Sequence, residues 1–177
     1  MIIVNLQKIF LISLDIKRII MYNYSMKNEQ TAIYPQTQKA KDRLIKDSLT
    51  LAVTDGKTTH TSTARGVRPL LDLYENHVNV SGFCACDKVV GKGASVLYVL
   101  LKVKQVYALT ASTIAIRMLR ENGISVICEN EVDRILNRDK SGFCPIESAV
   151  KDESSPLVAL EKIKAALNTL QNKENIK

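Results

Sequence analysis

Cys84-Ala85-Cys86-Asp87-Lys88-Val89-Val90-Gly91-Lys92-Gly93-Ala94-Ser95 joins an apolar run to a helical one. Val80 to Cys86 reads as a buried strand, and Lys88 to Lys102 as the helix it feeds. Asp87 then stands at the junction as an N-cap. On this reading Lys88 and Lys92 lie four residues apart, on one face of the first turns. The positive end of the helix dipole and their mutual repulsion both oppose them there. A bound anion would remove both objections, since free backbone N–H groups and the lysines would converge on it. The stretch therefore points to an anion site where the central strand ends.

Downstream, Gln105 to Leu109 is a short apolar strand. Thr110-Ala111-Ser112-Thr113 supplies hydroxyl caps for a helix from Ile114 to Asn122 that ends at Gly123. Ile124 to Cys128 is a further strand. Strands alternating with helices imply parallel pairing through right-handed crossovers. In open α/β sheets ligands sit beyond the carboxyl ends of the strands, the edge that holds Asp87, Lys88, Gly91, Ser112 and Thr113.

Upstream, Lys39 to Ser48 reads as a polar helix, followed by a strand from Leu49 to Thr54. Asp55-Gly56 signals a type I′ turn into a second strand, Lys57 to Ser62. His60 on that strand is read as an exposed edge residue. Pro69 opens a helix that runs to about Asn76. Before it, Arg65 and Arg68 bracket Gly66, which allows close backbone approach to a ligand. At the other end, Glu129 to Leu136 is read as a short helix and Asn137 to Cys144 as a loop. Pro145 then opens a turn that carries Glu147. Cys144 falls near that N-cap, where a thiolate is favoured. Ser154-Ser155-Pro156 starts a last amphipathic helix, with Leu157, Leu160, Ile163 and Leu167 as core or dimer contact.

The fold class expected is α/β, a three-layer α/β/α domain with a mixed sheet of about five strands. Residues 39–170 form the single domain, 1–38 an N-terminal extension and 171–177 a polar tail. Met1 to Ile20 is apolar but broken by Lys8, Asp15, Lys17 and Arg18, so it neither spans a bilayer nor forms a signal core. Met21 and Met26 offer alternative starts.

The chain has 177 residues, 46% of them hydrophobic, enough for a proper core. Its net charge of +7 is concentrated between Lys88 and Glu121, where six basic residues face a single acid. Such a field favours anionic partners. Without interleaved aromatics it gives single-stranded nucleic acid little to stack on. Four cysteines, with no CxxC pair, suit a reducing, cytoplasmic compartment.

Three words carry a family resemblance: Arg65-Gly66-Val67-Arg68-Pro69-Leu70-Leu71, Asp87-Lys88-Val89-Val90-Gly91-Lys92, and Asn137-Arg138-Asp139 through Cys144-Pro145 with Glu147. They resemble the prokaryotic domain-of-unknown-function family numbered eighteen ninety-three, whose members are similar to cytidine deaminase in fold. The resemblance implies a hairpin plus parallel strands, with helices on both faces. Working deaminases hold zinc through a His or Cys in a (His/Cys)-x-Glu word and through Pro-Cys-x-x-Cys. Here those places read Asp87-Lys88-Val89 and Thr110-Ala111-Ser112-Thr113. Cys86 alone stands near the first, and one thiolate does not hold catalytic zinc. No metal or other cofactor is implied. Gly93, where the family usually has a run of alanines, weakens the helix by about 1 kcal/mol relative to Ala.

The reading that follows is a small anionic or nucleotide-type ligand in the former deaminase pocket. Lys88, Lys92 and the helix N-terminus would take phosphate, and Arg65, Gly66 and Arg68 a second charged group. Asp87, Gly91, Ser112, Thr113, Asn137 and Arg138 would line the rest. One rival is a metal-independent enzyme using Asp87 with Lys88, or Cys144 with Glu147. The other is a non-catalytic regulatory or interaction module. Convergence of Arg65, Lys88, Lys92, Arg138 and Cys144 on one concavity favours a pocket, and scatter favours docking. Nucleic acid and membrane are disfavoured as partners, and a homo-oligomer is left open.

Overall fold

The computed structural model describes residues 32–175, residue 138 excepted. The first 31 residues, Arg138 and the last two residues lie outside that description, and with them all but residues 32–38 of the expected extension 1–38. The elements are α1 Pro35–Lys46, β1 Leu51–Thr54, β2 Thr59–Ser62, α2 Arg68–Glu75, β3 Cys84–Val90, α3 Lys92–Leu101, β4 Gln105–Ser112, α4 Thr113–Glu121, β5 Ser125–Val132, α5 Pro145–Val150 and α6 Pro156–Asn175. They build one five-stranded sheet in the order β2-β1-β3-β4-β5. β1 runs antiparallel to both β2 and β3, while β3, β4 and β5 are parallel. This is the mixed α/β sheet that the residues suggested, with β3 and β4 adjacent.

The faces separate cleanly over the first half of the strands. Ala85, Val106, Ala108 and Val126 join a core with α2 to α6. Cys86 and Tyr107, one step along, face the other way and pack with Ala40 and Leu44 of α1. That is the two-residue period of a sheet buried on both sides. α3 is buried along almost its whole length, so its near-continuous apolar sequence is what a helix enclosed on all sides needs.

α1 begins at Pro35, a turn earlier than the sequence suggested. Two polar clamps fix it to the strands. The Gln105 carbonyl oxygen accepts from Thr37 Oγ1 at 2.6 Å and from the Tyr34 N–H at 3.1 Å, and its amide donates to Ser125 Oγ. Lys41 Nζ donates to the Tyr107 hydroxyl and to Glu129, and the hydroxyl in turn donates to Glu129. Lys41 also lies 4.3 Å over the Tyr107 ring. These partners holding Lys41 push its pKa up.

Three local readings need correction. Glu129 to Val132 is not helical but continues β5, held beside β4 by the pairs Thr110↔Asn130 and Ala111↔Glu131. The hairpin connection is not a two-residue type I′ turn. Asp55 to Thr58 form a longer loop in which Asp55 Oδ1 accepts the N–H groups of Lys57 and Thr58. Gly56 is the loop's single residue with positive φ.

The third correction concerns the stretch that decides the fold. β3 runs on through Asp87, Lys88, Val89 and Val90, paired with β4 as far as Val90↔Ala111. The N-cap of α3 is Gly91, with no side-chain cap, and Lys92 is its first residue. β-branched valines with a β4 partner outweighed an aspartate that had the look of a cap. Lys88 and Lys92 therefore lie on different elements and share no helix face.

Candidate functional site

Two helix N-termini, those of α3 and α4, open at the carboxyl ends of β3 and β4. Each would leave backbone N–H groups without intrahelical partners. Neither N-cap supplies a side-chain cap of its own. The acceptor comes instead from Glu147 on α5. Its Oε1 accepts from Ser112 Oγ at 2.6 Å and from the Lys92 N–H at 3.3 Å, and its Oε2 accepts from the Ile135 N–H at 2.7 Å. Glu147 is only 8% exposed, so a carboxylate of the chain fills the place where an outside anion was expected.

Two glycines let it in. A Cβ on Gly93 would lie 2.5 Å from Ile146 Cγ2, and one on Gly91 3.1 Å from Ile135 Cγ1 and 3.4 Å from Glu147 Oε1. The departure at Gly93 thus has a packing reason: α5 presses against the first turn of α3. Val67 lies on the same spot, 3.7 Å from that Gly93 position. The three words of the resemblance therefore meet in space, and they meet by packing on one another.

The candidate residues part company around this centre. The Lys92 side chain is buried, and its ammonium donates to the Lys151 carbonyl oxygen at 2.7 Å, toward the joint between α5 and α6. Burial pushes its pKa down, while Asp152 and Glu153 nearby pull it up. Lys88 Nζ reaches toward the Ser48 carbonyl at 3.5 Å, on the α1 side of the sheet. Arg65 is exposed, and Gly66, at φ +74°, borders open space. Arg68 opens α2 and lies 3.9 Å from Asp72. Ser112 is committed to Glu147, and Thr113 donates to Glu131 at 3.0 Å. Asn137 clamps its own loop, donating to Ser141 Oγ and accepting from the Gly142 N–H. Cys144 is half-buried at the head of α5, and the Glu147 carboxylate bonds reach Ser112, Lys92 and Ile135 rather than its thiol.

Asp87 is no N-cap. It faces α3, where Oδ2 accepts from the fully buried Tyr98 hydroxyl at 2.8 Å and Oδ1 from the Val89 N–H at 3.0 Å. Burial pushes its carboxyl up to about 6, against the pull of those two bonds. Val90 joins the same core three residues later, as Ala111 does after Ala108. The alternation of faces thus slips by one residue in both strands at one level, and their register survives. Val89 is left 48% exposed.

Zinc does not fit. The two helix starts read Gly91-Lys92-Gly93 and Ser112-Thr113-Ile114, with no thiol or imidazole. Cys86 is on the opposite side of the sheet, its thiol pushed up to about 12 by burial. Among the described residues no group of three or more His, Cys, Asp or Glu could hold a metal ion.

Residues 39–167 match the family model Domain of unknown function (DUF1893). The chain belongs to this family. A solved DUF1893 family protein from Thermotoga maritima is similar in structure, with a TM-score of 0.68 at 24% identity, over 79% of this chain and 94% of that one. That likeness extends to the fold alone. A diaminohydroxyphosphoribosylaminopyrimidine deaminase/5-amino-6-(5-phosphoribosylamino)uracil reductase from the same organism matches 45% of this chain and 28% of its own, at 17% identity. Its TM-score of 0.33 is too low to carry an argument. No curated protein matches the sequence. No helix among the described residues of this DUF1893 domain is long and apolar enough to cross a membrane.

What the sequence did not disclose is the role of Glu147 as internal acceptor. Its donors stand 55, 35 and 12 residues away. Proximity to Pro145 placed it on a helix, and nothing local aimed it at α3. The Lys41–Tyr107–Glu129 cluster was missed for the same reason, with 66 residues between Lys41 and Tyr107.

Proposed function

We propose that this DUF1893 domain is a non-catalytic binding or regulatory module that works through its surface. The carrying observation is the buried Glu147 carboxylate, which accepts the Lys92 N–H at the start of α3 and the Ser112 hydroxyl at the N-cap of α4, and so occupies the place between the two helix starts where a substrate anion was expected. The scatter of Arg65, Lys88 and Lys92 over different faces supports the same reading. Asp87 is left as an acid–base candidate, but its neighbour Lys88 points to the other side of the sheet and cannot act with it.

A nucleotide-type or other phosphate-bearing ligand is the second reading, shifted outward from the old centre. One observation favours it. Phe143 is 54% exposed with the Arg134 guanidinium 4.7 Å above its ring, and Leu136 beside it is 48% exposed. An aromatic face with a cation on it suits a planar, charged ligand.

Thermal melts of the full chain against a panel of nucleotides and nucleotide sugars separate the readings. A surface module of the first kind gives no shift with any of them. The second gives a shift that Arg134→Ala abolishes. A shift that survives Arg134→Ala and disappears in Ser112→Ala would put a ligand at the centre and overturn the proposal.

A further inference from the structure

The two edges of the sheet are finished differently. β5 carries Glu129, Asn130 and Glu131 in succession, all exposed, which discourages another strand from pairing there. β2, the other edge, reads Thr59-His60-Thr61-Ser62, without charge or proline. Among the described residues nothing pairs with its outer side.

Beside that edge is an open groove of about 430 Å³ between β2 and α2. Leu51, Leu73 and Val78 give it apolar walls, and His60, Asp72 and Asn76 line it with polar groups. His60 and Ser62 pair with Val53 and Leu51, so they lie on the face of the sheet that α2 covers. The His60 ring stands 6.3 Å from that of Phe83. α2 thus stands over the face of the edge strand, and no strand among the described residues pairs beyond β2.

We propose that β2 and α2 form a docking groove for an extended peptide segment of a partner protein, which adds to the sheet as a sixth strand. Main-chain hydrogen bonds to the outer edge of β2, unpaired among the described residues, supply binding, and alternate side chains entering the groove supply selection. Apolar residues at every second position meet the Leu51, Leu73 and Val78 walls. Asp72 is the one acid lining the groove, and its 3.9 Å contact with Arg68 leaves room for another cation. The segment therefore also carries a Lys or Arg. This inference deepens the reading of the domain as a surface module and stands apart from the fate of the Glu147 centre.

The test selects binders from a phage-displayed library of random peptides on the full chain, then titrates the best one as a synthetic peptide. Selected sequences are expected to alternate apolar and polar residues around a basic one. The bound peptide should slow amide exchange at Thr59 to Ser62. Asp72→Lys and Asn76→Trp, both at exposed positions, should each weaken it at least tenfold. A library that yields no binder overturns the proposal. So does a binder whose protection maps away from β2, or one indifferent to both substitutions. Concentration-dependent protection of β2 without peptide would make a second copy the occupant and overturn it too. A nucleotide effect at Ser112 would sink the surface-module reading while leaving these outcomes unchanged.

Discussion

Glu147 and Asp87 are both acids between the sheet and its helices, the first buried and the second half-buried, yet one accepts from two N–H groups and a hydroxyl while the other accepts from one of each. Glu147 answers the Lys92 N–H at the start of α3 and the Ser112 hydroxyl at the N-cap of α4, and the helix dipole favours its charge there. Asp87 sits within a strand, where the Val89 N–H and the Tyr98 hydroxyl donate to it but burial dominates its titration. The same functional group is an anchor in one place and a charge held at a cost in the other. Closure of the space between the two helix starts follows from the first, and the residual case for chemistry rests on the second.

The largest effect should come from Glu147→Ala. It strands the Ser112 hydroxyl and the Lys92 and Ile135 N–H groups, and each buried orphan costs about 1–3 kcal/mol. Denaturant unfolding is expected to show a loss of about 3 kcal/mol or more. A loss below about 1 kcal/mol would mean that water replaces the carboxylate freely, and the contrast with Asp87 would fail.

Asp87→Asn should move stability the other way. The folded carboxyl titrates at about 6 against an ordinary 3.8, so the folded state holds the proton more tightly. Wild-type stability contributed by this group is therefore full below about pH 4 and is lost as pH rises through about 6. At pH 7.5 the asparagine variant should be more stable, on the order of 1–2 kcal/mol, and at pH 4 the two should agree. Unfolding curves across that window decide it. A variant less stable at both pH values would make the Tyr98 and Val89 bonds to the charged form the larger effect.

Gly93→Ala sharpens the account of how α5 reaches α3. Ala favours the helix by about 1 kcal/mol over Gly, but overpacking against Ile146 costs about 1–3 kcal/mol. We expect a small net loss of stability that disappears when Ile146→Ala is made in the same chain. Additive losses in that double-mutant cycle would show that the two positions do not press on each other.

Lys92→Met is the smallest, within about 1 kcal/mol of wild type. Its ammonium is buried on one carbonyl oxygen, and a methionine fills the same space without desolvating a charge. A marked loss of stability on thermal melting would show that the lysine holds α6 in place.

Much of this architecture is legible in the chain. Strand–helix alternation from Val80 to Cys128 gives the parallel half of the sheet, and the turn residues at Asp55-Gly56 give the hairpin. Boundaries were lost where local chemistry points two ways. Asp87-Lys88 looks like the start of a helix, while Val89-Val90 prefers a strand, and pairing with β4 decides for the strand. The site was less legible still. Helix starts announce a need for an acceptor but not where it comes from, and Glu147 is 55 residues beyond the Lys92 N–H it serves. The lysines suggested an anion from outside; tertiary packing supplied one from within.

The claim that Glu147 is the anion of this centre is tested most directly by putting a carboxylate back. Thermal melts of Glu147→Ala should be followed against sodium formate, with sodium chloride at equal ionic strength as the control. Formate should raise the Tm of the variant in a saturable way by binding only its folded state, and should leave the wild type where chloride does. If formate moves neither protein, or moves the wild type as much as the variant, the two helix starts are not an anion site that Glu147 fills, and the account is wrong.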